Sequence, residues 1–287
     1  MVEKPPAGLF YLEASVIKST LTTVVLLTAA IFAGCRYSMD CDPDESAMDA
    51  WAAMYVRLRE AGSFEFAIDE LMVLFHGYGD PLEITNVGVV QKGAHGDADA
   101  DIALSLALNF AGATNEVDVF FHDGFMYFNF QGARTKRDAD PVTATQVMYA
   151  DMPNLREIPV LLYGIGRGSR QGTREMNFVL DGSAEAFEFV KGSIISSFRL
   201  EGDNPEVPTT IEIYGPVVFI VEIDSDHAFI SYTLAFTADI TFMDRENLRA
   251  YYEITKTALQ IGGVAVNLPQ DLDEYIHVNE LPDAPQN

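Results

Sequence analysis

The chain has 287 residues, of which 48% are hydrophobic, and it carries a formal net charge of −25. A chain of this size and composition can bury one large core. Its acidic surface is expected to repel nucleic acid and anionic lipid headgroups, which argues against a function that depends on binding phosphate groups. No nucleic-acid partner is therefore expected.

The first segment of the chain has the layout of a secretory signal. A weakly basic start is followed by an apolar run over residues 21–32 and then by small residues. The run is shorter than the roughly 20 residues that a stable membrane-crossing helix needs, so a cleaved signal is favoured over a retained span. Glu3 and Glu13 do not suit a signal, which favours a start near Val16.

The small residues end at a cysteine, and residues 32–35 (FAGC) resemble the lipobox of bacterial lipoproteins. In that family the cysteine becomes the acylated first residue of the mature chain, although the family usually has an aliphatic residue where Phe32 stands. The resemblance implies a signal peptide over 1–34 and a palmitate-type lipid anchor on Cys35. It also implies a location on the extracytoplasmic face of the cell membrane.

A disulfide between Cys35 and Cys41 is the competing interpretation of the two cysteines. A bridge that closes so short a loop stabilises little, so acylation is favoured. Cys41 is then a thiol without a partner cysteine. Residues 35–45 are polar and acidic, as expected of a flexible tether, and 279–287 form a polar tail, which leaves one predicted domain over 46–278.

The domain is predicted to open with an amphipathic helix. Ser46 is a candidate N-cap with Asp49 three residues later, and the helix is expected to end at Gly62. Its apolar residues recur at helical spacing and are Met48, Trp51, Ala52, Tyr55 and Leu58.

After this helix the hydrophobic period changes to two, which predicts strands. Residues 102–110 alternate between large apolar and small or polar side chains. Further on, Asp123-Gly124 is typical of a two-residue type I′ turn, which would pair His122 with Phe125 and Val117 with Phe130. That register places the apolar side chains of both strands on one face.

Residues 230–242 alternate without a break, which predicts a strand roughly 40 Å long, and such strands belong to twisted or curved antiparallel sheets. A preceding strand over 211–223 is expected to carry a bulge at Gly215-Pro216. Short helices are predicted over 141–149 and 184–197. Residues 247–259 suit a helix by propensity and a strand by their flanks, and both alternatives stay open.

Four segments in this order resemble the LolA/LppX type of lipoprotein, in particular its Gram-positive relatives of unassigned function. They are 117–130 (VDVFFHDGFMYFNF), 178–182 (FVLDG), 221–225 (VEIDS) and 266–275 (VNLPQDLDEY). The resemblance implies an α+β, mainly β half-barrel: one large curved antiparallel sheet wrapped around one or two helices. It also implies an apolar hollow that receives lipid acyl chains.

The hollow would be lined by inward side chains, and the alternative is that the same residues fill a packed core. These residues are Phe121, Met126, Phe128, Leu234 and Phe236. Residues 164–174 depart from the family pattern and are expected to form a hairpin at the mouth.

Motifs for catalysis and metal binding do not emerge from the sequence. The glycines over 164–168 lack the helix start of a phosphate-binding loop. Asp97, Asp99 and Asp101 could hold calcium, but Ile102 stands where the EF-hand needs glycine. The five histidines are dispersed and do not have the spacing of a zinc-binding pair. A pair of carboxylates on neighbouring strands could still cleave glycosides without leaving a sequence motif.

We therefore expect a protein without enzymatic activity, cofactor or metal. The favoured hypothesis is an anchored lipoprotein that binds or shuttles a hydrophobic small molecule or lipid. The alternative is a surface display or sensory module that presents an acidic sheet to an unidentified partner protein.

Overall fold

A computed structural model describes residues 46–75, 81–93, 100–110, 112–148, 158–184, 208–242 and 248–278, with the single positions 152, 155, 187 and 191. The predicted signal, Cys35, Cys41 and the tail over 279–287 lie outside the described residues. So does most of the helix predicted over 184–197. Among the described helices, none has both the length and the apolar composition to span a membrane.

The first helix, α1 (Ala47–Ala61), begins and ends where its capping residues predict. Ser46 accepts a hydrogen bond from the Asp49 amide at 3.2 Å, which satisfies one of the free N–H groups of the first turn. Gly62 follows in the left-handed conformation with φ 69°, which suits a residue without Cβ. The apolar face buries Trp51 and Met54.

The strands form one open, curved, twelve-stranded sheet. They are β1 (Phe64–Phe75), β2 (Leu82–Lys92), β3 (Ile102–Phe110), β4 (Ala113–His122), β5 (Phe125–Phe130), β6 (Ala133–Asp138), β7 (Val160–Arg167), β8 (Thr173–Leu180), β9 (Pro208–Asp224), β10 (Phe229–Phe242), β11 (Leu248–Ile261) and β12 (Ile276–His277). A second helix, α2 (Pro141–Val147), and a 3-10 turn (Leu272–Glu274) complete the described elements.

The strand order shows two antiparallel meanders that meet in the middle of the sheet. It runs β12-β6-β5-β4-β3-β2-β1-β11-β10-β9-β8-β7. The first meander runs from β1 to β6, the second from β7 to β11, and β1 pairs with β11. Only β12 breaks the antiparallel pattern, since it runs parallel to β6. Of the segment over 247–259, which suited both helix and strand, residues 248–259 therefore belong to a strand near the centre of the sheet.

One face of this sheet, which we call the inner face, carries the main core. Alternate residues of the strands point to it, and α1 and α2 cover part of it with Trp51, Met54 and Ala144, together with Met148 directly after α2. The predicted mainly β fold is confirmed, and the elements described above include one long and one short α-helix.

The predicted β4–β5 hairpin has the expected register. Asp123 and Gly124 both have positive φ, 50° and 80°, as a type I′ turn requires. His122 pairs with Phe125 and Val117 with Phe130. The second hairpin, β5–β6, repeats this geometry because Gln131 and Gly132 also have positive φ.

Register shifts interrupt the β9–β10 pair at three places, the last of them between Thr241 and Phe242. The bulge expected at Gly215-Pro216 is present, between the pairs Ala235–Val218 and Thr237–Tyr214. A further register shift at the start of β10 places Phe229 in the core and leaves Ile230 half-buried, although the strict period predicted Ile230 as the inward residue.

The C-terminal segment crosses the outer face of the first meander. Tyr275 packs edge-on against Tyr127 at 5.4 Å between ring centroids. Arg134 binds Asp271 at 2.5 Å and also contacts Glu274 at 3.3 Å. The outer face of β3–β6 therefore has a small core of its own, which hairpin patterns alone did not reveal.

The β7–β8 hairpin confirms the hairpin predicted over 164–174, and its turn is tied to Glu222 on the outer face of β9. The carboxylate accepts hydrogen bonds from Thr173 Oγ1 at 2.6 Å, Ser169 Oγ at 2.8 Å and the Arg170 amide at 3.3 Å. Gly168 allows this close approach, because a Cβ there would lie 2.1 Å from Thr173 Oγ1. Burial acts to raise the pKa of Glu222, but these hydrogen bonds outweigh it and lower the pKa.

Because its pKa is lower in the folded state, Glu222 stabilises the fold above the unfolded-state pKa of about 4.3. This contribution is lost as the pH falls through the lowered pKa. We expect Glu222→Gln to lower the free energy of unfolding by about 1–2 kcal/mol at pH 7 and by less in acid. Urea unfolding at a series of pH values measures this, with the exposed Glu83→Gln as the control that should keep the wild-type pH profile.

Candidate functional site

The inner face is the largest apolar surface that the fold builds. From β1 to β11 its inward positions are occupied mainly by aliphatic and aromatic side chains, which join in one contiguous cluster. The five residues predicted to line a hollow all belong to this cluster or pack against it. Phe121, Met126, Leu234 and Phe236 are buried, and Phe128 is half-buried.

These five residues form two groups on the inner face. Phe121 and Met126 are direct partners across the β4–β5 hairpin, and Phe128 lies in the next row. Leu234 and Phe236 lie on β10, five strands away in the sheet order. At about 4.8 Å per strand the groups would be about 24 Å apart on a flat sheet, so both line one long surface.

Burial along β4 and β5 decreases away from the Asp123-Gly124 turn that joins them. On β4, Phe121 and Val119 are buried while Val117 is half-buried, and on β5 Phe130 is 38% exposed. Leu106 of β3, which pairs with Val117, is also half-buried. We call these four partly covered residues, Leu106, Val117, Phe128 and Phe130, the open strip.

Two opposite charges are buried at the centre of the inner face. Glu70 of β1 and Lys256 of β11 are 4% and 3% exposed. Glu70 pairs with Ile254, two residues before Lys256, so the charges are diagonal neighbours on adjacent strands. Asn86 donates a hydrogen bond to Glu70 at 2.6 Å, and the Lys256 ammonium lies 5.4 Å from the centre of the Tyr232 ring.

Two buried polar atoms, one on β2 and one on α1, have no hydrogen-bond partner among the described residues. They are Oδ1 of Asn86 and Nε1 of Trp51, and both atoms are buried. Buried polar groups are nearly always hydrogen-bonded in folded proteins. The core therefore contains an unused acceptor and an unused donor in addition to the buried charges of Glu70 and Lys256.

A third charge lies on the inner face on β6, the strand next to the edge strand β12. Arg137 pairs with Met126, and its guanidinium carbon lies 5.1 Å from the centre of the Phe128 ring. Burial lowers the pKa of Arg137, because its charge is partly removed from water. Arg137 therefore places a positive charge next to the open strip.

Sequence reasoning missed Glu70, Lys256 and Arg137, although each has a detectable signal. Glu70 and Lys256 occupy the apolar phase of otherwise alternating strands. Arg137 could have been found by extending the hairpin argument through Gln131-Gly132, which turns the chain as Asp123-Gly124 does. The uniformly polar sequence of β6 hid that its residues have an inner and an outer side.

A second concave feature lies between α1 and the β9–β10 turn. It is an open groove of about 770 Å³. Ala52, Ala53, Val56 and Arg57 line it from the helix, and residues 225–227 line it from the turn. The groove mixes small apolar and polar groups, and none of the five predicted residues lines it.

Titratable groups outside the inner face are dispersed. The His122 Nδ1 and Asp101 Oδ1 atoms lie 2.7 Å apart, at a partly exposed position. Asp97 and Asp99 lie outside the described residues. Within the described ranges, no three histidine, cysteine or acidic side chains come together as metal ligands.

No protein-family model and no curated protein matches the chain. Among solved structures it is similar to LprF from Mycobacterium bovis, with 10% identity over 78% of this chain and 97% of that chain and a TM-score of 0.40. It is similar to the lipoprotein LppX from Mycobacterium tuberculosis, with 11% identity, 80% and 100% coverage and a TM-score of 0.37.

A LolA superfamily protein from Nitrosomonas europaea is also similar, with 6% identity, 79% and 97% coverage and a TM-score of 0.25. These neighbours are of the LolA and LppX type that the sequence motifs resemble. Because the identities and TM-scores are low, the function of this chain has to be inferred from its own inner face.

Proposed function

We propose that this protein is an extracytoplasmic lipoprotein, anchored to the cell membrane through a lipid on Cys35, whose half-barrel binds or shuttles a hydrophobic ligand on its inner face. The ligand is an acyl chain or a similar apolar molecule. The observation that carries the proposal is the open strip, an apolar surface that continues the buried core and that the described helices leave partly uncovered.

An open strip of this kind favours a ligand because exposed apolar area is unfavourable in water. Burial stabilises by roughly 25 cal/mol for each Å² removed from water. Contiguous apolar patches that remain exposed mark binding surfaces in soluble proteins. The buried ends of the same strands, including Phe121 on β4 and Met126 on β5, would hold the strip rigid while the ligand covers it.

The anchor is supported by the lipobox-like residues that end at Cys35. Metabolic labelling with palmitate, followed by separation of membranes, tests it in the full chain and in its Cys35→Ser variant. The expected result is label and membrane association in the wild type and loss of both in the variant. Equal labelling of the two chains would overturn the anchor without touching the ligand proposal.

Ligand binding is tested by native mass spectrometry of the purified full chain and by titration with a fluorescent acyl probe. We expect Val117→Gln, which places an amide in the open strip, to weaken probe binding about tenfold. Val87→Gln is the matched control, because Val87 is 52% exposed on the outer side of β2 and should leave the affinity unchanged.

The proposal fails if no lipid copurifies and no acyl probe binds. Equal effects of Val117→Gln and Val87→Gln would also count against the inner face as the binding surface. The first of these results would favour the alternative function, a display module whose acidic surface binds a partner protein.

A further inference from the structure

Arg137 differs from the other basic residues of its strand. Arg134 faces outward and binds Asp271 and Glu274, and Lys136 also faces outward, over the Phe125 ring. Arg137 instead faces inward, among Met126 and Phe128. Strand β6 thus presents one cation to the inner face while its other cations contact the outer face.

No carboxylate of the described residues forms an ion pair or hydrogen bond with Arg137. The chain has 43 acidic and only 18 basic residues, so a shortage of carboxylates does not explain this absence. A guanidinium presents five donors and keeps its charge in proteins, so a partly buried arginine needs acceptors. Its aromatic neighbour Phe128 compensates only in part.

We propose that Arg137 binds the anionic headgroup of an amphiphile, a carboxylate or a phosphate ester, whose apolar chain lies along the open strip. This inference rests on the proposed function and adds the chemical class of the ligand. The guanidinium suits such a headgroup because it can donate two parallel hydrogen bonds to a carboxylate or phosphate.

The open strip begins beside this charge and leads away from it. Phe128, whose ring contacts Arg137, is next to Phe130 on the inner side of β5. Val117 of β4 pairs with Phe130, and Leu106 of β3 pairs with Val117. From β6 to β3 the path crosses three strand spacings, about 14 Å, which suits an extended acyl chain.

The net charge of −25 does not oppose such a ligand at this position. Exposed charges are screened over about 8–10 Å at physiological ionic strength, and partly buried charges are screened much less. The charge of Arg137 next to Phe128 is therefore screened less than the charges of the exposed acidic residues.

The experiment compares dansylaminoundecanoic acid with its methyl ester, which has the same chain and no charge. Both probes are titrated into the full chain and into its Arg137→Gln, Arg137→Lys and Lys136→Gln variants. Lys136→Gln removes one positive charge from the neighbouring residue on the opposite face. Acetate and inorganic phosphate are added as competitors, to separate binding of an amphiphile from binding of a free anion.

We expect the wild type to bind the acid about 10- to 100-fold more tightly than the ester. Arg137→Gln should abolish this preference and leave ester binding within about twofold, which also shows that the variant is folded. Arg137→Lys should keep part of the preference, and Lys136→Gln should keep all of it.

The possible contrary results separate the two proposals. If the wild type binds neither probe, the proposed function fails and this inference falls with it. If both probes bind equally well, or if Arg137→Gln keeps the preference, only the role of Arg137 is overturned. Displacement of the acid by acetate or phosphate at similar concentrations would identify a free-anion site and overturn the amphiphile.

Discussion

Lys256→Met is expected to lower the free energy of unfolding by about 3–5 kcal/mol. Lys256 and Glu70 are 3% and 4% exposed and lie diagonally across β11 and β1, at the centre of the sheet. Removal of the ammonium leaves the Glu70 carboxylate buried without that opposite charge. The hydrogen bond from Asn86 then remains, but it replaces only part of the lost hydration.

The double variant Glu70→Gln/Lys256→Met is the control for this prediction. It should recover most of the lost stability, since glutamine still accepts the Asn86 hydrogen bond and no charge stays buried. Urea unfolding of the wild type, both single variants and the double variant gives the coupling energy. A loss below about 1 kcal/mol in Lys256→Met, or additive single effects, would contradict coupling between these two charges.

Phe121→Ala is expected to lower mainly the stability and Phe130→Ala mainly the affinity for an acyl probe, although both residues lie on the inner face of the β4–β5 hairpin. Phe121 is 2% exposed, so its truncation should cost about 3–5 kcal/mol of stability through lost burial and the cavity that remains. Phe130 is 38% exposed, so its truncation should cost less than about 1 kcal/mol.

Affinity for an acyl probe should follow the opposite order. Phe130→Ala removes apolar area from the open strip and is expected to weaken the probe about fivefold to tenfold. Phe121→Ala should leave affinity unchanged at temperatures where it is folded. Paired unfolding and titration measurements test this. Loss of affinity in Phe121→Ala with none in Phe130→Ala would place the ligand inside the core and not on the strip.

Local sequence patterns sufficed wherever local physics decides the structure. Ser46 and Gly62 mark the ends of α1 because a side-chain acceptor and a left-handed glycine satisfy the ends of a helix. Asp123-Gly124 determines the β4–β5 register because a type I′ turn admits one pairing. These features need only a few neighbouring residues.

Patterns were insufficient where a segment depends on distant partners. Residues 247–259 have mixed propensity, and pairing with both β1 and β10 makes them a strand. The register shift that buries Phe229 is another such case, because it arises between β9 and β10. The C-terminal segment is a third, since its tyrosine packs against strands more than a hundred residues earlier.

Some features of the candidate site likewise follow from the local sequence, and others depend on distant parts of the chain. The sequence alone determined that the strands have an apolar face and that Phe121, Met126, Phe128, Leu234 and Phe236 lie on it, because side chains alternate along a strand. Only the tertiary structure decided which of these residues are fully covered and where the open strip begins. It also decided that Arg137 faces inward, because burial and charge pairing depend on strand order and on the helices that cover the sheet, and neither is encoded in local spacing.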